Sequence, residues 1–282
     1  MAGPGAKLRA LSFGESVIDI YPDRRVVAGS PVHLAAHLAE RGWSVSLATR
    51  LGDDPDAAAV REVVRRHGIS DELIEVDQRL PTGSVTIHFQ EGGGHSFHIH
   101  KPAAWDELEL AGELPEADVL CYGSLIGRSE TSRAALFRLL ADGRYPARLF
   151  DVNLRTPDIH IGTVKRALEA ATILKVSDEE LGALVDLLEV NVVDDFFAAA
   201  PDLEWLAMTR GAQGAELRHR SGRSWAKGTP ALEVLDAVGA GDAFAAGLVD
   251  GLVRGRPGDE ALTLALEAAE SILGRRGGLP TG

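Results

Sequence analysis

Leu235-Asp236-Ala237-Val238-Gly239-Ala240-Gly241-Asp242-Ala243-Phe244 is the stretch around which the chain is read. Two glycines bracket a small residue, an aspartate follows at once, and an Ala-rich run from Ala243 to Val249 predicts a helix. Gly239 and Gly241 permit a tight turn that residues with a Cβ disfavour. A turn of this kind at a helix start aims free backbone N–H groups at one spot, where the helix dipole adds partial positive charge. Such a spot takes anions, phosphate above all. A carboxylate set beside it, here Asp242, repels the ligand unless it serves to accept a proton. A base next to a bound phosphoryl group is what transfer to a hydroxyl requires. A plain glycine turn with Asp242 as N-cap accounts for the same residues, and the segment alone does not separate the two.

The totals narrow the field. A chain of 282 residues can form one large domain, and its apolar content suffices for a full core. A net charge of -13 argues against non-specific binding to nucleic acid or an anionic membrane. An anionic substrate therefore needs a local positive site. Cys121 is the only cysteine, which excludes an internal disulfide and suits a reducing, cytoplasmic setting. No apolar run approaches a membrane span, and Met1–Ala10 lacks a signal core.

Upstream, Leu8 to Tyr21 alternates apolar and polar residues around Gly14 and predicts a strand, with Glu15 and Asp19 placed to accept hydrogen bonds from a polyhydroxylated ligand. Ser30 and Pro31 predict the cap and first position of a helix, Gly29 allows close backbone approach, and His33 falls in the first turn, at a pocket or packed against a neighbour. Strands at Ser84–Phe89 and Ser96–His100 flank a Gly-rich hairpin. Their apolar face is Val85, Ile87, Phe89, Phe97 and Ile99. That face predicts either a cover for the ligand or a homodimer contact. His88, His95, His98 and His100 read as a polar outer face rather than a metal site.

From Asp118 onward, strands at Val119–Tyr122, Arg148–Val152, Ile173–Val176 and Trp205–Thr209 alternate with helices at Glu130–Leu140, Val164–Ala170, Asp178–Leu188 and Val193–Ala199. This predicts a mostly parallel sheet covered on both faces, with ligands beyond the strands' carboxyl ends. Asp151, Asn153 and Arg155 follow one such strand, Lys175, Ser177 and Glu180 the next, and Thr209, Arg210 and Gly211 a third. A last helix is predicted over Asp259–Leu273. The chain holds no P-loop motif, no dinucleotide fingerprint and no nucleophile elbow.

These residues resemble the ribokinase (PfkB) carbohydrate kinases over nearly the whole chain. The Gly239–Asp242 turn is similar to the second signature of that family, and Ala28-Gly29-Ser30-Pro31 with its helix to the first. The Asp151-x-Asn153-x-Arg155 and Lys175-x-Ser177-x-x-Glu180 patterns resemble the fructokinase and 2-keto-3-deoxygluconate kinase branch. The resemblance implies one ribokinase-like three-layer α/β/α domain over 1–282, with a mostly parallel central sheet and a small β lid built from about 12–30 and 83–101. It implies ATP as donor, magnesium as helper and a sugar, first fructose, as acceptor. A 2-keto-3-deoxygluconate or nucleoside kinase is the alternative, and a sugar-binding relative without catalysis is the non-enzyme one. By the same resemblance Asp242 is the base, and the amides of Gly239, Ala240 and Gly241 form the anion hole. Asp19, Gly29, His33, Phe97 and Arg155 meet the sugar. Lys175, Thr209, Arg210, Gly211, Gly214, Gly241 and Gly277 lie along ATP, and Glu180 orders water on magnesium. Asp236 and Val238 frame a monovalent cation such as K+. The chain departs from the pattern at Ala28 for glycine, His33 for asparagine and Ala237 for threonine.

Overall fold

Short strands with no exposed face force the central layer indoors. In the computed structural model, which describes residues 7–89, 95–142, 144–189, 195–229, 235–274 and 277–281, the chain runs β1 (Arg9–Phe13), β2 (Val17–Ile20), β3 (Arg25–Ala28), α1 (Ser30–Glu40), β4 (Ser44–Gly52), α2 (Pro55–Arg66), β5 (Ile74–Asp77), β6 (Gly83–Phe89), β7 (His95–Ile99), β8 (Val119–Gly123), α3 (Glu130–Ala141), β9 (Ala147–Asp151), α4 (Ile161–Glu169), β10 (Ile173–Ser177), α5 (Asp178–Leu188), α6 (Asp195–Ala199), β11 (Trp205–Thr209), β12 (Ala215–His219), β13 (Ser224–Lys227), α7 (Ala240–Val253) and α8 (Gly258–Leu273). The large sheet has the order β13-β12-β11-β10-β9-β8-β1-β4-β5. It is parallel from β5 to β11 and antiparallel from β11 to β13.

Alternation along the strands divides the interior in two. Leu11, Phe13, Leu120, Tyr122, Phe150, Leu174, Val176 and Leu206 pack with α3, α4, α5 and α6. Ala10, Val119, Cys121, Leu149, Ile173 and Ala207 pack on the other face with α1, α2, α7 and α8. A side-chain period of two on a sheet covered on both sides produces this split. Small residues let α7 and α8 approach closely. A Cβ on Gly247 would lie 2.5 Å from the Leu264 carbonyl oxygen. Among the described residues no helix is long and apolar enough to cross a membrane.

A second sheet, β3-β2-β6-β7, stands beside the carboxyl ends of the first. The single strand expected over Leu8–Tyr21 is thus two. The chain leaves the large sheet after Phe13, turns at Gly14 and enters the small sheet at Val17. Gly14 is where Pro31 approaches, and a Cβ there would meet the Pro31 ring at 2.6 Å. The antiparallel β12–β13 edge and β5 were not predicted from the sequence. The Gly-rich hairpin tip (90–94), the start of the helix expected from Val193, and Arg276 lie outside the described residues.

Candidate active site

The first turn of α7 does what the glycines promise. Gly239 has φ 78, in the left-handed region, and caps the helix with no side-chain hydrogen bond. The first intrahelical bond runs from Ala243 N to Gly239 O, so the N–H groups of Gly241 and Asp242 precede it. Ala240 N, expected in the anion hole, instead donates to Ala237 O at 3.2 Å. The turn tightens on itself there and presents fewer amides than anticipated. A Cβ on Gly239 would sit 2.3 Å from Gly278 Cα, a clash of backbone on backbone that no rotamer relieves. Gly239→Ala is therefore expected to cost at least about 2 kcal/mol in stability and most of the activity. Thermal denaturation and an ADP-release assay read the two effects.

Two cavities meet at this turn. One, of about 310 Å³, is lined by Glu15, Asp19, Gly29, Ser30, His33, Val85, Phe97, Ile99, Asn153, Arg155, Lys175, Gly239, Gly241 and Asp242 among others. The second, of about 600 Å³, runs from Thr209, Gly211 and Gly214 along α7 to Leu266, Ala269 and Leu273 of α8. Ala237 and Gly241 line both. The first is crowded with carboxylates and cations, and the second has a mostly apolar wall with glycines at one end.

Every residue expected at the sugar, Asp19, Gly29, His33, Phe97 and Arg155, lies on the first cavity. The nucleotide set is divided. Thr209, Gly211, Gly214 and Gly241 line the second cavity, and three others lie elsewhere. Arg210 reaches Glu216 across the edge hairpin. Gly277 N donates to Asp236 Oδ2 at 3.0 Å. Lys175 sits on the first cavity, paired with Asp151. An arginine after a strand is read from spacing as ligand-facing, but the carboxylate on the neighbouring strand claims it.

Ser30 also departs from expectation. Gly29, with φ 109, is the N-cap of α1, and no side chain caps it. The Ser30 hydroxyl is thereby free to donate to Asp242 Oδ1 at 2.5 Å. His33 Nδ1 lies 3.1 Å from Asp242 Oδ2. His37, one turn on, bonds the Gly278 carbonyl at 2.9 Å through Nε2. The resemblance sets Gly277-Gly278 near adenine, whereas Gly278 here meets His37 and His33; His37 did not stand out in the sequence, and the spacing of two histidines on one helical face was the available signal.

The charges are arranged with purpose. Burial raises Asp242, but the His33 hydrogen bond and charge, then Ser30 and Lys175, outweigh it and hold its carboxyl below the usual range. Burial disfavours the His33 cation, yet Asp242 more than compensates and raises it. This pair contributes its full stability between the unfolded values, above 3.8 for the acid and below 6.5 for the histidine. It weakens as pH falls through the folded value of Asp242 or rises through that of His33. Burial pushes Glu15 up to about 7 and Asp151 up to about 6, the latter against Lys175 at 2.8 Å. Burial also lowers His37 to about 4.

Residues 13–280 match the model of the pfkB family carbohydrate kinases. The chain belongs to that family. This kinase is 28% identical over 264 residues to the fructokinase of Escherichia coli, covering 85% of this chain and 83% of that one. It is 28% identical over 272 residues to fructokinase-1 of Oryza sativa subsp. japonica, with 86% and 83% covered. Its fold superposes on fructokinase from Vibrio cholerae O395 in a fructose-, ADP- and calcium-bound form with TM-score 0.83, 23% identity and coverage of 96% and 94%. Aminoimidazole riboside kinase from Salmonella enterica gives TM-score 0.81 at 20% identity, covering 96% and 95%. The kinase is thus a ribokinase-like three-layer α/β/α phosphotransferase with an alcohol group as acceptor.

The small sheet's apolar face serves the first cavity: Val85, Phe97 and Ile99 line it, while the Phe89 side chain lies outside the described residues. His100 Nε2 meets Thr86 Oγ1 at 2.8 Å and the His98 ring at 4.8 Å between centroids. Among the described residues no group of three metal-ligating side chains occurs.

Proposed function

We propose that the kinase transfers the γ-phosphoryl group of ATP to a primary hydroxyl of a sugar, with D-fructose as first acceptor. The observation that carries this is the junction of the two cavities at Ala237 and Gly241, with Asp242 on the polar side. The polar cavity has the size and the acceptors for a polyol, and the apolar one suits a purine. Asp242 takes the hydroxyl proton, the hydroxyl oxygen bonds to the γ-phosphorus, and the bond to the bridging oxygen of ADP breaks. The amides of Gly241 and Asp242 stabilise charge on the transferred group. Val85, Phe97 and Ile99 form the lid that excludes water, which strengthens these interactions and limits hydrolysis of ATP.

A divalent ion fits as a passenger of the nucleotide. Glu180 Oε1 accepts from Leu154 N at 2.7 Å, and Oε2 from Ser177 N at 3.0 Å and Ser177 Oγ at 2.8 Å. Oε1 keeps a lone pair for a metal-bound water, which supports magnesium held indirectly. Magnesium on the triphosphate would supply charge neutralisation. Asp236 accepts from Val238 N and Gly277 N, both at 3.0 Å. It ties the segment ahead of α7 to the C-terminal one, and with Val238 it is proposed to frame K+. Phe97, 55% exposed, offers a second copy a place to complete the lid as a homodimer, which light scattering reads. A cytoplasmic location is part of this proposal, supported by the need for ATP and by the single buried thiol, Cys121.

A sugar acid such as 2-keto-3-deoxygluconate, or a nucleoside, is the second reading, favoured by Arg155 on the polar cavity. A coupled ADP assay over sugars, sugar acids and nucleosides tests both, with the largest kcat/KM expected for fructose. No turnover with any of them, alongside sugar binding by calorimetry, would instead identify a binding protein.

A further inference from the structure

We propose that Ser30 and His33 form a clamp on Asp242, one residue per carboxylate oxygen, and act as positioning residues for phosphoryl transfer. The inference rests on the reading of Asp242 as the base. Both donors come from the first turn of α1, three positions apart and so on one face. Ser30 Oγ donates to Oδ1 at 2.5 Å, and His33 Nδ1 lies 3.1 Å from Oδ2. Two partners on the two oxygens fix the plane of the carboxylate, and each oxygen keeps a lone pair for the acceptor hydroxyl.

The surroundings keep the imidazole in place and charged. Against burial, Asp242 above all, and after it the Val27 backbone and Asp19, favour the protonated ring. The ring is 4% exposed. It packs against Gly278, where a Cβ would approach Cε1 to 2.6 Å. His37 holds the same segment through the Gly278 carbonyl. The other titratable groups facing this pair are Asp19 from β2, Tyr21 and Arg24 between β2 and β3, Glu15 from the turn after β1, His37 from α1, Asp151 from β9, Arg155 after β9, Lys175 from β10, and Asp236 ahead of α7. A fixed imidazolium offsets the charge of Asp242, so an anionic base can stand beside a polyphosphate.

The test has one arm that needs no substrate. In 15N-labelled full-length protein, the His33 ring signals are identified by their loss in His33→Asn. Asp242→Asn is expected to lower the His33 titration midpoint by about one unit or more. An unmoved midpoint overturns the clamp. The second arm uses ATP and D-fructose. Ser30→Ala and His33→Asn should each lower kcat by about tenfold to a hundredfold, with KM for ATP little changed. His33→Asn should also shift the acid limb of the kcat profile upward, because Asp242 loses the cation that depresses it. A rise in KM for fructose alone, with kcat and the acid limb unmoved, would make His33 a sugar contact and overturn the proposal. If the unaltered enzyme does not turn over fructose, the choice of acceptor has failed, and the NMR arm still decides the clamp.

Discussion

Asp242→Asn is expected to lower kcat by about 10²- to 10⁴-fold, with nucleotide affinity unchanged within about threefold. The amide is isosteric with the carboxylate, so the Gly239–Gly241 turn and its N–H groups should survive. What disappears is the proton acceptor on the polar cavity and the partner of His33 and Ser30. Steady-state kinetics and nucleotide titration calorimetry separate the two quantities. Full activity in the variant would end the assignment of Asp242 as base. Loss of nucleotide binding in step with kcat would show that the substitution had collapsed the turn.

Lys175→Met is expected to destabilise the fold by about 3–5 kcal/mol. Lys175, midway along β10, and Asp151, at the end of the adjacent parallel β9, are 8% and 4% exposed and lie 2.8 Å apart. Burial opposes the Lys175 ammonium, and Asp151 overcomes that and raises it. Removing the ammonium leaves Asp151 buried among carboxylates, with Asp242 and Glu180 among those that raise it. The double replacement Lys175→Met, Asp151→Leu should recover much of the loss, since exchanging a whole buried pair for apolar volume is often close to neutral. Chemical denaturation of both proteins checks this. Equal loss in the single and double variants would mean that the pair's geometry, rather than the orphaned charge, matters. Activity should fall in both, because Lys175 also borders Gly241, where a Cβ would come within 3.2 Å of its Nζ.

The layered parallel sheet was legible in the sequence because strands buried on both faces must be apolar runs and the helices between them must be amphipathic. Asp178–Leu188 and Trp205–Thr209 are found with the very bounds expected. The glycine turn ahead of α7 was legible because few residues other than glycine tolerate φ 78 at Gly239. The break after Phe13 was not legible. Alternation continues through Gly14, and only the approach of Pro31 shows why the chain turns there. The edge hairpin of β12 and β13 lacks the apolar run that marks a strand buried on both faces, and its pairing partner β11 is named only by the fold.

At the site, the local pattern determined which residue types stand at strand ends and helix starts: Asp242 after the glycines, Asp19 and Arg155 toward one crevice. Whom each side chain meets was decided by tertiary structure alone, because hydrogen-bond partners there come from segments far apart in the chain. Ser30 reads as a cap from its neighbours, yet it bonds a carboxylate 212 positions away. Arg210 reads as a ligand contact and is taken by Glu216. His33 reads equally as packing or pocket until the fold sets it against Asp242. A short-range pattern specifies backbone conformation and burial. The pairing of charges depends on which strand ends the parallel sheet brings side by side.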